Sequence, residues 1–308
     1  MSDKLKKDVP VLITCDIDPA AEANMVDKHT ALDKTIHLFD SFGIRSTFFT
    51  VANVAIDFSS HLQQMKKRGH EVGCHGLTHG LEEEYNRMPE FMQWNYLTEA
   101  TKRLEEITGE KIRSFRGPRV KTSHVTQKIL TELNYWVDSS VCSQRLDFIS
   151  SNLIHPGWIQ APRYPYQPSD RNAFKRGNRK LYVVPVSALI LPFISSTLYA
   201  FGIQIMKTLF RILYQESKYT GKPIVYLMHP FEFAHHGPSR KKASLNGFLS
   251  EGFSVRRRLK LRIDENKRLE YTRELIQYMT SFDKIHFMTV SSYIKSALLR
   301  KSIMHINN

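Results

Sequence analysis

The feature that most constrains this chain is an alternation. Short apolar runs rich in β-branched and aromatic residues alternate with runs of helical periodicity along the chain. VLITCDID (11–18) reads as a buried first strand. MVDKHTALDKTIHLFDSFG (25–43) reads as a helix stopped by Gly43. STFFTVA (46–52) is a second strand, and SSHLQQMKKRG (59–69) a helix with a serine cap and a terminal glycine. HEVGCH (70–75), IRSFRG (112–117) and YWVDSSV (135–141) continue the strands, with helices over 92–109 and 123–134 between them. LYVVPVSA (181–188), PIVYLMH (223–229) and KIHFMTV (284–290) are later strands, with helices over 265–282 and 291–301. This alternation implies a parallel sheet in an α/β fold, and this many units suggests a distorted (β/α) barrel, complete or broken. No domain-sized linker and no internal repeat divides residues 1–308, so a single domain is expected.

Composition narrows the partners. Hydrophobic residues make up 42% and charged residues 24%, as in soluble globular proteins. The formal charge is +14, which points to an acidic partner or simply to solubility. Nucleic acid is not expected, because no aromatic-interleaved basic groove or known motif accompanies the charge. Much of the basic charge sits in an insertion at about 235–262, dense in arginine and lysine with Glu251 as its acid. Residues 181–206 carry no charge, but Pro185 and Pro192 interrupt them. They read as a strand, a loop and a helix starting near Ser196, not as a span. Segment 190–214 and the basic insertion together suggest peripheral contact with anionic membrane or a polyprenyl-phosphate carrier. Cys15, Cys74 and Cys142 lack CxxC spacing, and the first residues show no secretory pattern; a cytoplasmic location, with membrane association as a variant, is the expectation.

In parallel α/β folds ligands bind where strands end. The polar residues at those ends are Asp16, Asp18, His75, His79, Arg116, Asp138 and His229. Asp16 and Asp18 are two apart, so they share one face of a strand. Two carboxylates there repel unless a cation or a shared proton intervenes. Alone, they also fit a polar strand end before Pro19, and His75 with His79 alone fit exposed loop histidines. Together they make two histidines and one aspartate with open positions, a set suited to zinc or another first-row divalent ion such as cobalt, nickel or manganese. His70 begins its strand and has no role at the far end. Trp94, Trp136 and Trp158 read as core before sugar platforms; of the three, Trp158, with Arg163 and Tyr166 beside it in a loop, is the best candidate to stack on a sugar.

These residues carry a resemblance. TCDID (14–18), HGLTH (75–79), RGPRV (116–120), Asp138 in VDSSV and YLMHP (226–230) resemble, in order, the five motifs of the polysaccharide deacetylase family, the NodB-homology carbohydrate esterases. The spaced D-x-D form resembles the peptidoglycan-deacetylase-like and lipid-linked-sugar deformylase branches. The resemblance implies Asp16 as general base and Asp18, His75 and His79 as metal ligands. It implies Arg116 holding the base ionised, the Arg119 backbone N–H binding the oxyanion, and Asp138 orienting the catalytic histidine. Leu227 would line the acyl pocket, and His229 would be the general acid. Gly76 departs from the usual small hydroxyl residue. Arg119 replaces the usual aromatic residue and Val120 the usual glycine. The implied activity is metal-dependent removal of an N-acyl group, acetyl first, from an amino sugar in a glycan or a lipid- or nucleotide-linked saccharide. Alternatives are a related C–N hydrolase acting on a formamide, ureide or cyclic imide, and a non-catalytic sugar-binding protein on the same barrel.

Overall fold

The computed structural model describes residues 8–20, 23–145, 156–235 and 263–306, with side chains to residue 299. The basic insertion lies outside the described residues from 236 to 262.

Ten strands and ten helices are described. The strands are β1 (Val9–Ile17), β2 (Thr47–Thr50), β3 (Glu71–Cys74), β4 (Ser114–Phe115), β5 (Val137–Asp138), β6 (Tyr182–Val183), β7 (Ala188–Leu189), β8 (Leu191–Pro192), β9 (Ile224–Met228) and β10 (Ile285–Phe287). The helices are α1 (Met25–Ser41), α2 (Ala52–Ala55), α3 (Ser59–Lys67), α4 (Glu90–Thr108), α5 (His124–Glu132), α6 (Pro156–Gln160), α7 (Ser195–Phe201), α8 (Ile203–Thr220), α9 (Glu265–Thr280) and α10 (Val290–Ile306).

The main sheet is parallel throughout. β1 pairs with β10 at Val9–Val11, with β9 at Val11–Cys15 and with β2 at Thr14–Ile17. The sheet continues through β3, β4 and β5 to β6. It curls into a half-barrel, and Ser187 N–H donating to the Val225 carbonyl brings the chain after β6 against β9. The expected distorted barrel in a single domain is the observed fold. Strands at the far side are shorter than the sequence suggests, since β4 and β5 each pair over two residues.

Alternation along β1 decides what faces the interior. Val11, Ile13, Cys15 and Ile17 pack in the layer between sheet and helices. Leu12 points the other way, into a second cluster with Phe49, Val137, Val183, Val225 and Leu227. By the period of two, Thr14 and Asp16 share the inner face with Leu12, and Asp18 follows just beyond the strand. The sequence therefore directs both carboxylates into the mouth of the half-barrel.

Caps fix several helix starts. Asn24 accepts from Asp27 N–H at 2.8 Å, and Ser123 forms a capping box with Thr126. The serine cap expected at residue 59 is absent: Ser59 is already helical, because the turn through Ala52–Phe58 runs directly into α3, and the Ser59 N–H donates to the Ile56 carbonyl. Segment 181–206 becomes β6, a β7–β8 hairpin and α7; Gly202 at φ 80° then breaks the chain into α8. No described helix is long and apolar enough to cross a membrane.

Candidate active site

Asp16 is the buried member of the carboxylate pair. Its Oδ1 accepts from Arg116 Nη1 at 2.7 Å, and the two side chains are 3% and 0% exposed. Arg116 spends its other donors on Ser139, at 2.9 Å to Oγ and 3.2 Å to the carbonyl, and its guanidinium sits 4.4 Å from the Phe49 ring centroid. A buried charge pair is tolerable only when the remaining donors are satisfied in this way.

His75 follows β3 and continues its ladder, its N–H donating to Thr50 O at 2.9 Å. Its Nδ1 lies 2.6 Å from the Arg116 carbonyl. A carbonyl only accepts, so Nδ1 carries the proton and Nε2 is turned to Asp18 Oδ1, 3.2 Å away. His79 Nε2 lies 3.7 Å from the same oxygen. Among the described residues, Asp18, His75 and His79 form the group of side chains able to hold a metal ion, with one ligand atom from each within 4.8 Å of the others. Asp18 Oδ1 is buried and accepts no well-formed hydrogen bond, which fits an oxygen intended for a cation.

The electrostatics agree. Burial alone would raise the Asp18 carboxyl, but contact with His75 and the charges of His79, His229 and His75 outweigh it and hold its pKa below the ordinary value. Burial alone would lower His75, yet Asp16, Asp18 and the Arg116 carbonyl raise it. Burial, aided by His75 and Arg119, lowers His79 against the pull of Asp18. Asp18 is thus held as a carboxylate among three imidazoles, and His79 as a neutral ligand-type imidazole, the forms a cation would use.

His229 follows β9 on the other side of Asp18, with Nε2 3.7 Å from Oδ2. Its Nδ1 faces Glu232 Oε1 at 3.6 Å. The structure thus brings together Asp16, Asp18, His75, His79, Arg116 and His229. Leu227, one turn of the pleat earlier on β9, is 5% exposed in the inner cluster.

Other expected residues stand elsewhere. Asp138 is fully buried and accepts from Thr122 Oγ1, Gln127 Nε2 and the Ser140 N–H; none of its bonds reaches His229. Burial raises its pKa, against the lowering effect of those hydrogen bonds. Glu232 is the carboxylate beside His229, because Pro230 starts a 3₁₀ turn that folds the residue three positions on back toward the imidazole. The spacing HPFE was the signal for it. Trp158 offers no face to a sugar: it lies in α6, 1% exposed and packed in the inner cluster. Trp94 and Trp136, expected in the core, are 39% and 41% exposed. Tyr166 is buried with its hydroxyl donating to Ala173 O, and Arg163 pairs with Glu216. Buried His70 accepts from Ser46 N–H through Nδ1, a structural partner far from the metal group.

The Arg119 side chain turns toward the His79 loop, donating to Gly80 O at 2.8 Å and Glu83 O at 3.0 Å. Arg119 and Val120 both adopt φ 57°. For a β-branched residue such as Val120 this is a conformational outlier, and it occurs where the resembled motif has glycine.

Residues 4–137 match the family model described as polysaccharide deacetylase. A peptidoglycan deacetylase of Helicobacter pylori is 23% identical over 110 residues, which is 36% of this chain and 36% of that protein. The match therefore spans about a third of that relative's length. The fold is shared with a candidate polysaccharide deacetylase of Mycobacterium smegmatis, with TM-score 0.64 and 17% identity over 98% of this chain and 94% of that one. A Puue allantoinase aligns with TM-score 0.57 and 16% identity, over 92% of this chain and 88% of that one. The chain resembles the polysaccharide deacetylase family, and its half-barrel is the NodB-type fold.

Proposed function

From a polysaccharide-deacetylase-like chain on a NodB-type barrel, we propose a metal-dependent hydrolase that removes an N-acyl group, acetyl first, from an amino sugar. One observation carries this reading. Asp18, His75 and His79 converge within 4.8 Å, with the Arg116-paired Asp16 behind them and His229 3.7 Å from the opposite carboxylate oxygen.

Two imidazoles and a carboxylate suit zinc, with cobalt, nickel or manganese as alternatives; such an ion would supply Lewis acidity to the amide carbonyl and acidify water. Asp16 accepts the proton of the attacking water. Arg116 holds Asp16 in place through the 2.7 Å bond to Oδ1, so the carboxylate is positioned as the base. The Arg119 backbone N–H is the donor assigned to the oxyanion. His229 gives a proton to the departing nitrogen, and Glu232 faces its Nδ1 at 3.6 Å on the side away from Asp18. Leu227 lines the space for the acyl group. The products are the free amine and the carboxylic acid.

A saccharide linked to a nucleotide or a lipid carrier is the favoured substrate class. On α8, Ile205, Ile212 and Tyr219, spaced seven apart, are exposed along one outer face beside exposed Arg211, and Phe201 at the end of α7 is exposed just before it. A face of this kind, in a chain of charge +14, supports peripheral contact with anionic membrane. The fold shared with an allantoinase supports a second reading, hydrolysis of a ureide or a related C–N bond. A screen of zinc- or cobalt-loaded protein separates the two. It follows acetate or formate release from lipid- and nucleotide-linked amino sugars, beside ring opening or cleavage of ureides. Acyl release supports the first reading; cleavage of ureides alone replaces it with the second.

A further inference from the structure

The second motif departs from its family pattern at Gly76, and the third at Arg119. Both departures meet at one residue that belongs to neither motif, Glu83. It is fully buried. Its Oε2 accepts from Thr78 N–H and His79 N–H, each at 2.7 Å, and from the Thr78 hydroxyl at 3.0 Å. Its Oε1 accepts from Leu77 N–H and the Tyr85 hydroxyl, both at 2.7 Å.

Three successive backbone N–H groups aimed at one carboxylate form a concave anion site of the kind called a nest. The backbone makes it by left-handed turns at both ends, Gly76 at φ 82° and His79 at φ 61°. Glycine adopts the first without penalty. A side chain at 76 would also collide with the carboxylate: an added Cβ would sit 2.4 Å from Glu83 Oε1 and 3.0 Å from its Cδ. The space a small hydroxyl residue would use is filled by Glu83. On the carbonyl side of the same loop, the Arg119 guanidinium donates to Gly80 O at 2.8 Å and Glu83 O at 3.0 Å, with His79 O at 3.4 Å.

We propose that Glu83, seconded by the Arg119 side chain, is the positioning residue of the His75–His79 loop: its carboxylate gathers the N–H groups of Leu77, Thr78 and His79 and so sets the His79 imidazole beside Asp18. The inference rests on the reading of Asp18, His75 and His79 as metal ligands. It explains why the loop tolerates Gly76, whose motif counterpart would bring its own hydroxyl. Charge-assisted bonds to a carboxylate are stronger than neutral ones, and their loss here leaves three part-buried backbone N–H groups, with the Thr78 and Tyr85 hydroxyls, seeking new partners.

The test is ion binding by the full chain, using Co²⁺ and Zn²⁺ as probes, with urea midpoints measured on the same proteins. Glu83→Ala is expected to bind about 10- to 100-fold more weakly than wild type, the usual cost of removing a group that holds a ligand. Glu83→Gln keeps one accepting oxygen and is expected to fall between. Gly76→Ala should weaken binding alone, and cost less in the Glu83→Ala background, where the colliding carboxylate is gone. A merely structural role would lower the urea midpoint and leave affinity of the folded protein within twofold of wild type; that result overturns the inference. Should Glu83→Ala not fold, Glu83→Gln and Gly76→Ala decide by the same criterion. Failure of wild type to bind either ion overturns the metal reading first, and this inference with it.

Discussion

The Arg116–Asp16 pair gives the sharpest quantitative expectation. Replacing Arg116 with methionine keeps volume and apolar contact with Phe49 but leaves the 3%-exposed Asp16 carboxylate without its guanidinium. With charge centres about 4 Å apart and an effective dielectric of about 20, the lost attraction is about 4 kcal/mol. Breaking a buried pair from one side typically costs about 3–5 kcal/mol, in agreement. Ser139 also loses two donors, so Arg116→Met should lie toward the upper end. That is a large part of a domain's usual stability of about 5–15 kcal/mol, so unfolding is best followed in urea at low temperature. Asp16→Asn strands the arginine and should be destabilising as well. The double variant Asp16→Asn/Arg116→Met removes both charges and should be more stable than the sum of the single losses predicts, by at least about 2 kcal/mol. It should recover no hydrolysis, because the base is gone. Additive losses in the cycle would refute the claim that Arg116 acts on Asp16.

Other expectations follow from particular residues. Trp158→Ala should cost about 3–5 kcal/mol of stability, as for a large core side chain, and leave KM unchanged; a raised KM at unchanged stability would restore Trp158 to the substrate. His70 gives a pH dependence: burial first, then the charges of Arg68 and Arg45, lowers its pKa from 6.5 to about 4. The unfolded chain takes this proton as pH falls below about 6.5, while the folded chain resists until about 4. His70 therefore withdraws stability as pH falls through that window, by up to about 1.4 kcal/mol per pH unit. His70→Gln should flatten the acid side of the stability curve, and an unchanged slope would contradict the assignment. Glu232→Gln removes the carboxylate that faces His229 Nδ1 and should lower kcat on the order of tenfold, with ion affinity unchanged; loss of the ion instead would place Glu232 in the metal set.

The barrel and the convergence of Asp18, His75 and His79 were legible because local rules determine them. A period of two along Leu12–Thr14–Asp16 fixes which face meets the interior, and strand ends gather the polar residues. What was not legible depended on tertiary partners. Trp94 and Trp136 read as core but stand 39% and 41% exposed, whereas Trp158, in a proline-rich stretch that reads as a loop, is the one buried, by the packing of α6 into the inner cluster. Asp138 occupies the expected strand end, but Thr122, Gln127 and Ser140 claim its oxygens. Glu232 stood three residues from His229, where a proline-led turn could return it. Glu83 lies outside every motif, so the sequence shows Gly76 and Arg119 only as departures, without the carboxylate that links them.

The central claim is that Asp18, His75 and His79 hold an ion that hydrolysis requires and that Asp16 serves as base without holding it. The most direct test measures bound zinc and acyl release together in wild type, Asp18→Ala and Asp16→Asn. The account predicts one equivalent of zinc in wild type and in Asp16→Asn, none in Asp18→Ala, and turnover in wild type alone. Wild-type zinc affinity in Asp18→Ala, or full hydrolysis by metal-free protein, would contradict it.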